Sequence, residues 1–150
     1  MKLTPRSINL FLFMKLPSAW WSGVRVIRMS DEQCLVSVKH RWVNQNPFGS
    51  MYFAVQAMAA ELSTGALVMS EIQKSERKIS MLVAQNSSEF TKKAKGRVTF
   101  SCMEGSLVQK KIKEAIATGE GQKFWLTSAG INQEGVEVAT FRFEWTIKVK

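Results

Sequence analysis

The chain has 150 residues, 45% of them apolar and 22% charged, which is ordinary usage for one folded domain spanning 1–150 and argues against long disordered stretches. Its 21 Lys and Arg outnumber its 12 Asp and Glu, and the formal charge of +9 favours anionic partners: nucleic acid, an acidic membrane surface or a phosphate-bearing ligand. One His and two Cys cannot build any of the common zinc sites, so no metal is expected.

Ser7 to Leu16 predicts a short N-terminal helix that Pro17 ends. Gly23 to Met29 and Gln33 to Val43 predict a hairpin joined by Ser30, Asp31 and Glu32. In its second strand Cys34, Val36, Val38, His40 and Trp42 share one face at period two. Asn44 to Gly49, with Pro47 inside it, is a turn cluster. Ser50 is placed to cap a helix from Met51 to about Ile72, the most apolar long segment of the chain. Its residues are mostly small or unbranched, and a helix apolar nearly all round should be buried on most sides. Past the charged stretch from Glu71 to Lys78, Ile79 to Gln85 and Arg97 to Met103 read as strands, separated by the basic link from Lys92 to Lys95. Leu107, Val108, Ile112, Ala115 and Ile116 recur at helical spacing. Gln122 to Ile131 and Val136 to Val149 close the chain as a hairpin, the last strand alternating Phe141, Phe143, Trp145, Ile147 and Val149 against polar residues.

Strands linked mostly by hairpins imply an antiparallel sheet, and the long helix is the element apolar enough to cover its face. Cys34 and Cys102 lie far apart in sequence, each in an apolar run, and are expected as buried, reduced strand residues. Two segments imitate membrane signals. Ile8 to Met14 follows Lys2 and Arg6, but Lys15 and Pro17 cut it short. Ala54 to Met69 holds Gln56 and Glu61 and falls short of an uncharged span of 18 residues or more. Both are read as buried helices of a cytoplasmic protein without a membrane partner.

The run Asn46-Pro-Phe-Gly49-Ser50-Met-Tyr52-Phe53-Ala54, followed by Glu61, resembles the hotdog thioesterase superfamily. In thioesterases of the phenylacetate-pathway type an Asn and a Gly precede a His-Gly-Gly at a helix start, and an Asp or Glu follows about two turns on. Asn46 and Gly49 fall on that Asn and Gly, and Glu61 falls on the catalytic acid without a gap. Tyr52, Phe53 and Ala54 stand where the family has His-Gly-Gly. Asn9, the stretch from Trp20 to Val26, the run from His40 to Asn46 and the link from Phe90 to Val98 resemble an uncharacterised, thioesterase-like branch. The resemblance implies an α+β hotdog fold, five to six antiparallel strands wrapped around a long helix. It also implies an acyl-CoA or acyl-carrier substrate, with coenzyme A entering only as part of that substrate. A homodimer or homotetramer with sites shared between subunits is implied too.

Glu61 is the expected catalytic residue. A carboxylate among Ala, Met and Leu is costly to bury unless it is hydrogen-bonded or its pKa rises, and such groups gather at functional sites. The resemblance assigns it as general base on water or as nucleophile. Backbone N–H groups near Tyr52 and Phe53, at the positive helix end, would form the oxyanion hole. Asn46 either orients substrate or caps its own turn. Gln56, five residues before Glu61, is expected about a turn from it, either in substrate contact or, more in keeping with its position, in interior hydrogen bonding without chemistry. Gly49 is a further candidate for substrate contact, and Ser63 and Thr64 either touch substrate or bond their own helix backbone. Lys92, Lys93, Lys95, Arg97 and Arg41 either meet the phosphates of coenzyme A or guard a solvated strand edge. His40 reads as structural. The alternatives to a thioesterase are a hotdog module that binds acyl chains without turnover and, third, a dehydratase or isomerase, which the helix's lack of His disfavours. Nucleic acid is not expected, since no recognition motif accompanies the positive charge.

Overall fold

The computed structural model describes residues 3–150. Two short helices, α1 (Pro5–Lys15) and α2 (Pro17–Trp21), lead into the strands β1 (Arg25–Met29) and β2 (Cys34–Lys39). A 3-10 turn over Trp42–Asn44 and an irregular loop then deliver the long helix α3 (Phe53–Ser75). The strands β3 (Ile79–Phe90) and β4 (Arg97–Cys102), the helix α4 (Gly105–Thr118) and the strands β5 (Gln122–Asn132) and β6 (Glu137–Val149) complete the chain. The six strands form one antiparallel sheet in the order β1-β2-β4-β5-β6-β3. With α3 packed against β2, β4, β5 and β6, this is the α+β hotdog arrangement that the resemblance implied.

Alternation explains the core. Val36 and Val38 of β2, Val98 and Phe100 of β4, Leu126 of β5 and Phe141 to Ile147 at every second position of β6 are buried. From α3, Val55, Ala59, Ala60, Leu62, Ala66 and Leu67 are buried with them, and their small size lets helix and sheet approach closely. By length and apolarity α3 is the one helix, among the described residues, that could cross a membrane, contrary to the shorter run expected from sequence. However, 67% of its most apolar window is buried inside the protein, as for a core helix.

Several expected boundaries move for physical reasons. Pro17 opens α2 at its first position instead of simply ending α1, because a helix start leaves that N–H unpaired in any case. The shared face of β2 stops at Val38: the strand ends at Lys39, and Trp42 lies in the 3-10 turn with 84% of its surface exposed. His40 keeps a buried Nε2 without a partner among the described residues. Ser50 does not cap α3, since its hydroxyl is exchanged with the Asn46 side chain across a closed turn. Helix α3 begins two residues later than expected, after an extended Tyr52 that supplies no side-chain cap. β3 runs five residues beyond Gln85, along an exposed segment paired to Ala139–Phe143. Cys34 and Cys102, distant in sequence, are register partners on β2 and β4; both are free thiols, and burial pushes each up to about 12.

The two sheet edges differ. Along β1, the Asn9 carboxamide of α1 donates to the Val26 carbonyl and accepts from the Val26 N–H, both at 2.9 Å, replacing a neighbouring strand. β3 pairs with β6 on one side and, among the described residues, with no strand on the other. At the far end of the molecule the 30–33 turn joins three elements. The Gly105 N–H at the start of α4 donates to the Glu32 carbonyl, Ser106 donates to the Glu32 carboxylate, and Lys74 near the end of α3 reaches the Asp31 carboxylate at 2.7 Å.

Candidate functional site

Helix α3 carries more polar groups than its burial would suggest, and its geometry sorts them. At about 100° per residue, Gln56 and Glu61 lie about 140° apart around the helix, so the five-residue spacing expected to make them neighbours does not. They line different cavities.

Glu61 faces a cavity of about 500 Å³. Ala54, Ala57 and Met58 of α3 form its helical wall, and Val83, Asn86 and Phe143 close it from the sheet. Leu16 and Ser18, at the junction of α1 and α2, complete the lining. Burial in this mostly apolar lining raises the Glu61 carboxyl above the ordinary range, because the charged form loses its water. Among the described residues no hydrogen bond or ion pair compensates. Gly65 gives the carboxylate its space. A Cβ built there would lie 3.1 Å from the Trp145 ring and 3.4 Å from Glu61 Oε1.

The turn that carries Glu61 is pinned from behind. Thr64 Oγ1 donates to the Glu61 carbonyl at 2.8 Å and accepts from Trp145 Nε1 at 3.0 Å. Ser63 Oγ donates to the Ala60 carbonyl and shares a 2.7 Å bond with Ser128 Oγ of β5. Ser63 and Thr64 are fully buried against the sheet and line neither cavity, so their hydroxyls hold the helix in place. Trp145, Ser128 and Gly65 were not singled out from sequence. Trp145 stood in a clean apolar alternation, and nothing in that pattern discloses the partner of its indole N–H.

Gln56 lines the second cavity, of about 540 Å³. Its Nε2 donates to the Met51 carbonyl at 3.2 Å, whereas Oε1 is buried without a partner among the described residues. Asn46, Lys92 and Lys93 line the same cavity, and so do the aromatic side chains of Phe48, Tyr52, Phe53 and Phe90. Asn46 is committed to its own turn, accepting from the N–H groups of Phe48 and Ser50. Gly49, at φ +73°, belongs to that turn and lies exposed outside both cavities.

The basic set divides. Lys92 and Lys93 border the Gln56 cavity, whereas Lys95 and Arg97 are exposed and line neither cavity. Arg97 donates to Ser37 Oγ at 2.8 Å, and Arg41 turns toward the Trp21 carbonyl beside Gly23. The expected pair of oxyanion donors is halved as well. The Tyr52 N–H already donates to the Asn44 carbonyl at 2.9 Å. The Phe53 and Ala54 N–H groups are first-turn donors, which a helix leaves without a carbonyl four residues back.

A family model described as a domain of unknown function, DUF4442, matches residues 5–147. Among solved structures, a Pseudomonas aeruginosa protein of unknown function described as a probable thioesterase superposes with a TM-score of 0.83 at 20% identity, covering 99% of both chains. A thioesterase from Haemophilus influenzae gives a TM-score of 0.74 at 12% identity, over 99% of this chain and 93% of that one. The PaaI protein from the phenylacetic acid degradation operon of E. coli gives 0.64 at 14% identity, over 89% and 86%. At these identities the likeness is one of fold. No curated protein matches the chain in sequence.

Proposed function

The chain belongs to the DUF4442 family, and from its hotdog fold and the Glu61 cavity we propose that it hydrolyses acyl thioesters. The observation that carries this reading is the uncompensated Glu61 carboxylate on the wall of an otherwise mostly apolar cavity. Structural carboxylates in protein interiors are normally paired, since leaving one alone costs several kcal/mol (about 3–5 when a buried pair is broken). A raised pKa also makes the carboxylate a better proton acceptor than an exposed Glu.

In this reading the acyl group occupies the Glu61 cavity. Glu61 takes a proton from an attacking water and passes it to the thiolate as the C–S bond breaks, or it attacks the thioester carbonyl itself, expelling a thiolate that is protonated by solvent and leaving a mixed anhydride that water hydrolyses. Either way one water is consumed and the thiol and the free acid are released. The open Phe53 and Ala54 N–H groups at the start of α3 stabilise the developing oxyanion. Lys92 and Lys93 attract the phosphates of coenzyme A or of an acyl carrier, and the carrier arm lies in the cavity they border. The free edge of β3 pairs with the same edge of a second copy, giving a dimer in which sites near Phe53, Phe90 and Glu61 are shared. Blocking of the β1 edge by Asn9 favours β3 for that role.

A second reading is a hotdog domain that binds acyl thioesters without turnover. It is favoured by the Phe53 ring, which is 54% exposed at a position where the resembling family has glycine. Thiol release from a panel of acyl-CoAs, short to long and aryl, with Glu61→Gln in parallel, separates the two. Turnover lost in the variant supports hydrolysis. No turnover, with acyl-CoA raising the melting temperature of both proteins by mass action, supports binding alone. Sizing in dilute solution tests the dimer, and a monomer removes the shared site.

A further inference from the structure

Among the described residues, Phe53 is the one that lines both cavities. Helix geometry explains this. Around the axis of α3, Gln56 lies about 60° to one side of Phe53 and Glu61 about 80° to the other. Side chains in a helix tilt toward its N-terminus, so the ring of the first residue overhangs the helix end, where the two cavities meet. The ring is held by edge-to-face contacts to Tyr52 at 5.1 Å and Phe90 at 6.3 Å between centroids, and all three rings are about half exposed. Phe53 is not among the buried core residues. The cavity on its Gln56 side has the marks of a ligand site: an orphaned buried acceptor in Gln56 Oε1 and two lysines beside it.

We infer that Phe53 is a specificity-determining partition. It separates a chamber for the carrier arm, bordered by Lys92 and Lys93, from the acyl chamber that holds Glu61. A thioester must pass the ring to occupy both chambers at once, so the ring limits which acyl-carrier conjugates bind in register with Glu61. This rests on the thioester reading of the two cavities, and it assigns the Phe53 side chain, as distinct from its backbone N–H, no part in the chemistry.

The test is binding, measured in the Glu61→Gln background so that no ligand is consumed. The probes are coenzyme A, octanoate and octanoyl-CoA. With Phe53 in place, coenzyme A and octanoate are expected to bind without competing, and octanoyl-CoA little more tightly than coenzyme A alone. Phe53→Ala is expected to raise octanoyl-CoA affinity at least about tenfold while coenzyme A stays within about twofold. Phe53→Tyr, which keeps the ring, serves as the folded control and is expected to behave as the parent. Octanoyl-CoA affinity unchanged by Phe53→Ala overturns the partition and leaves hydrolysis standing. A shifted affinity ratio, with no thiol release from any protein carrying Glu61, keeps the partition and removes hydrolysis. No binding of coenzyme A or octanoyl-CoA to any variant overturns both.

Discussion

The two sides of α3 treat polar residues in opposite ways. On the side against the sheet, Ser63 and Thr64 are sealed from water and every hydroxyl has a partner, in Ser128, Trp145 or the helix backbone. On the sides that face the cavities, Glu61 and Gln56 are also largely buried, yet the Glu61 carboxylate and Gln56 Oε1 have no partner among the described residues. Burial is shared; satisfaction is not. Within one helix, pairing separates polar groups that hold the fold from those available to a ligand.

The sharpest way to break this contrast is Glu61→Gln. If Glu61 performs the proton transfer, thiol release falls by about 10²–10⁴-fold. The variant should also be at least as stable as the parent in urea, because an uncompensated buried charge has been removed. A variant that keeps its activity removes the Glu61 mechanism, and one that loses stability shows that the carboxylate has a structural partner.

On the sheet side the sign reverses. Thr64→Val strands the indole N–H of Trp145 and should cost about 1–3 kcal/mol in urea unfolding. Ser63→Ala leaves the Ser128 hydroxyl alone, with a cost in the same range. Costs near zero at both positions would mean that these bonds do not fasten the helix.

A pH series sharpens the comparison further. Burial raises the Glu61 pKa in the folded state, so between its ordinary and its raised value the folded protein holds a proton that the unfolded chain has released. Stability attributable to Glu61 is therefore present below the ordinary carboxylate range and is lost as pH rises through that window. Glu61→Gln should abolish this part of the slope. Activity should run the other way, with kcat/KM rising as Glu61 deprotonates above the ordinary range. The smallest expected effect is at the rim: Lys92→Ala or Lys93→Ala should raise KM for acyl-CoA by up to roughly fivefold, and less at high salt.

Much of the fold was legible because burial imposes period. Phe141 to Ile147 alternate cleanly, and all six strands, β3 in its first half only, and the long helix could be placed from the sequence. The second half of β3 was not, since Asn86 to Glu89 are exposed and polar, and only pairing to β6 makes them a strand. At the site, Glu61 stood out as a charge in an apolar helix. The opposite placements of Gln56 and Glu61 were also written in the sequence, in the angle that five residues subtend around a helix. The partners of Ser63 and Thr64 were not, because they come from β5 and β6, more than sixty residues away. The same holds for the basic residues: loop geometry brings Lys92 and Lys93 to a cavity and ties Arg97 to Ser37.

The knot at the 30–33 turn has a consequence for how the molecule opens. Because that turn is bonded to the start of α4 and to Lys74 near the end of α3, the hairpin tip detaches only by breaking its bonds to both helix ends. The amides of Ser30, Gln33 and Gly105 should therefore exchange with solvent deuterium as one cooperative unit, at a common opening free energy. Weakening the knot with Lys74→Ala should speed all three together. A local fluctuation at one end of α3 would then be felt along the rod that carries Glu61.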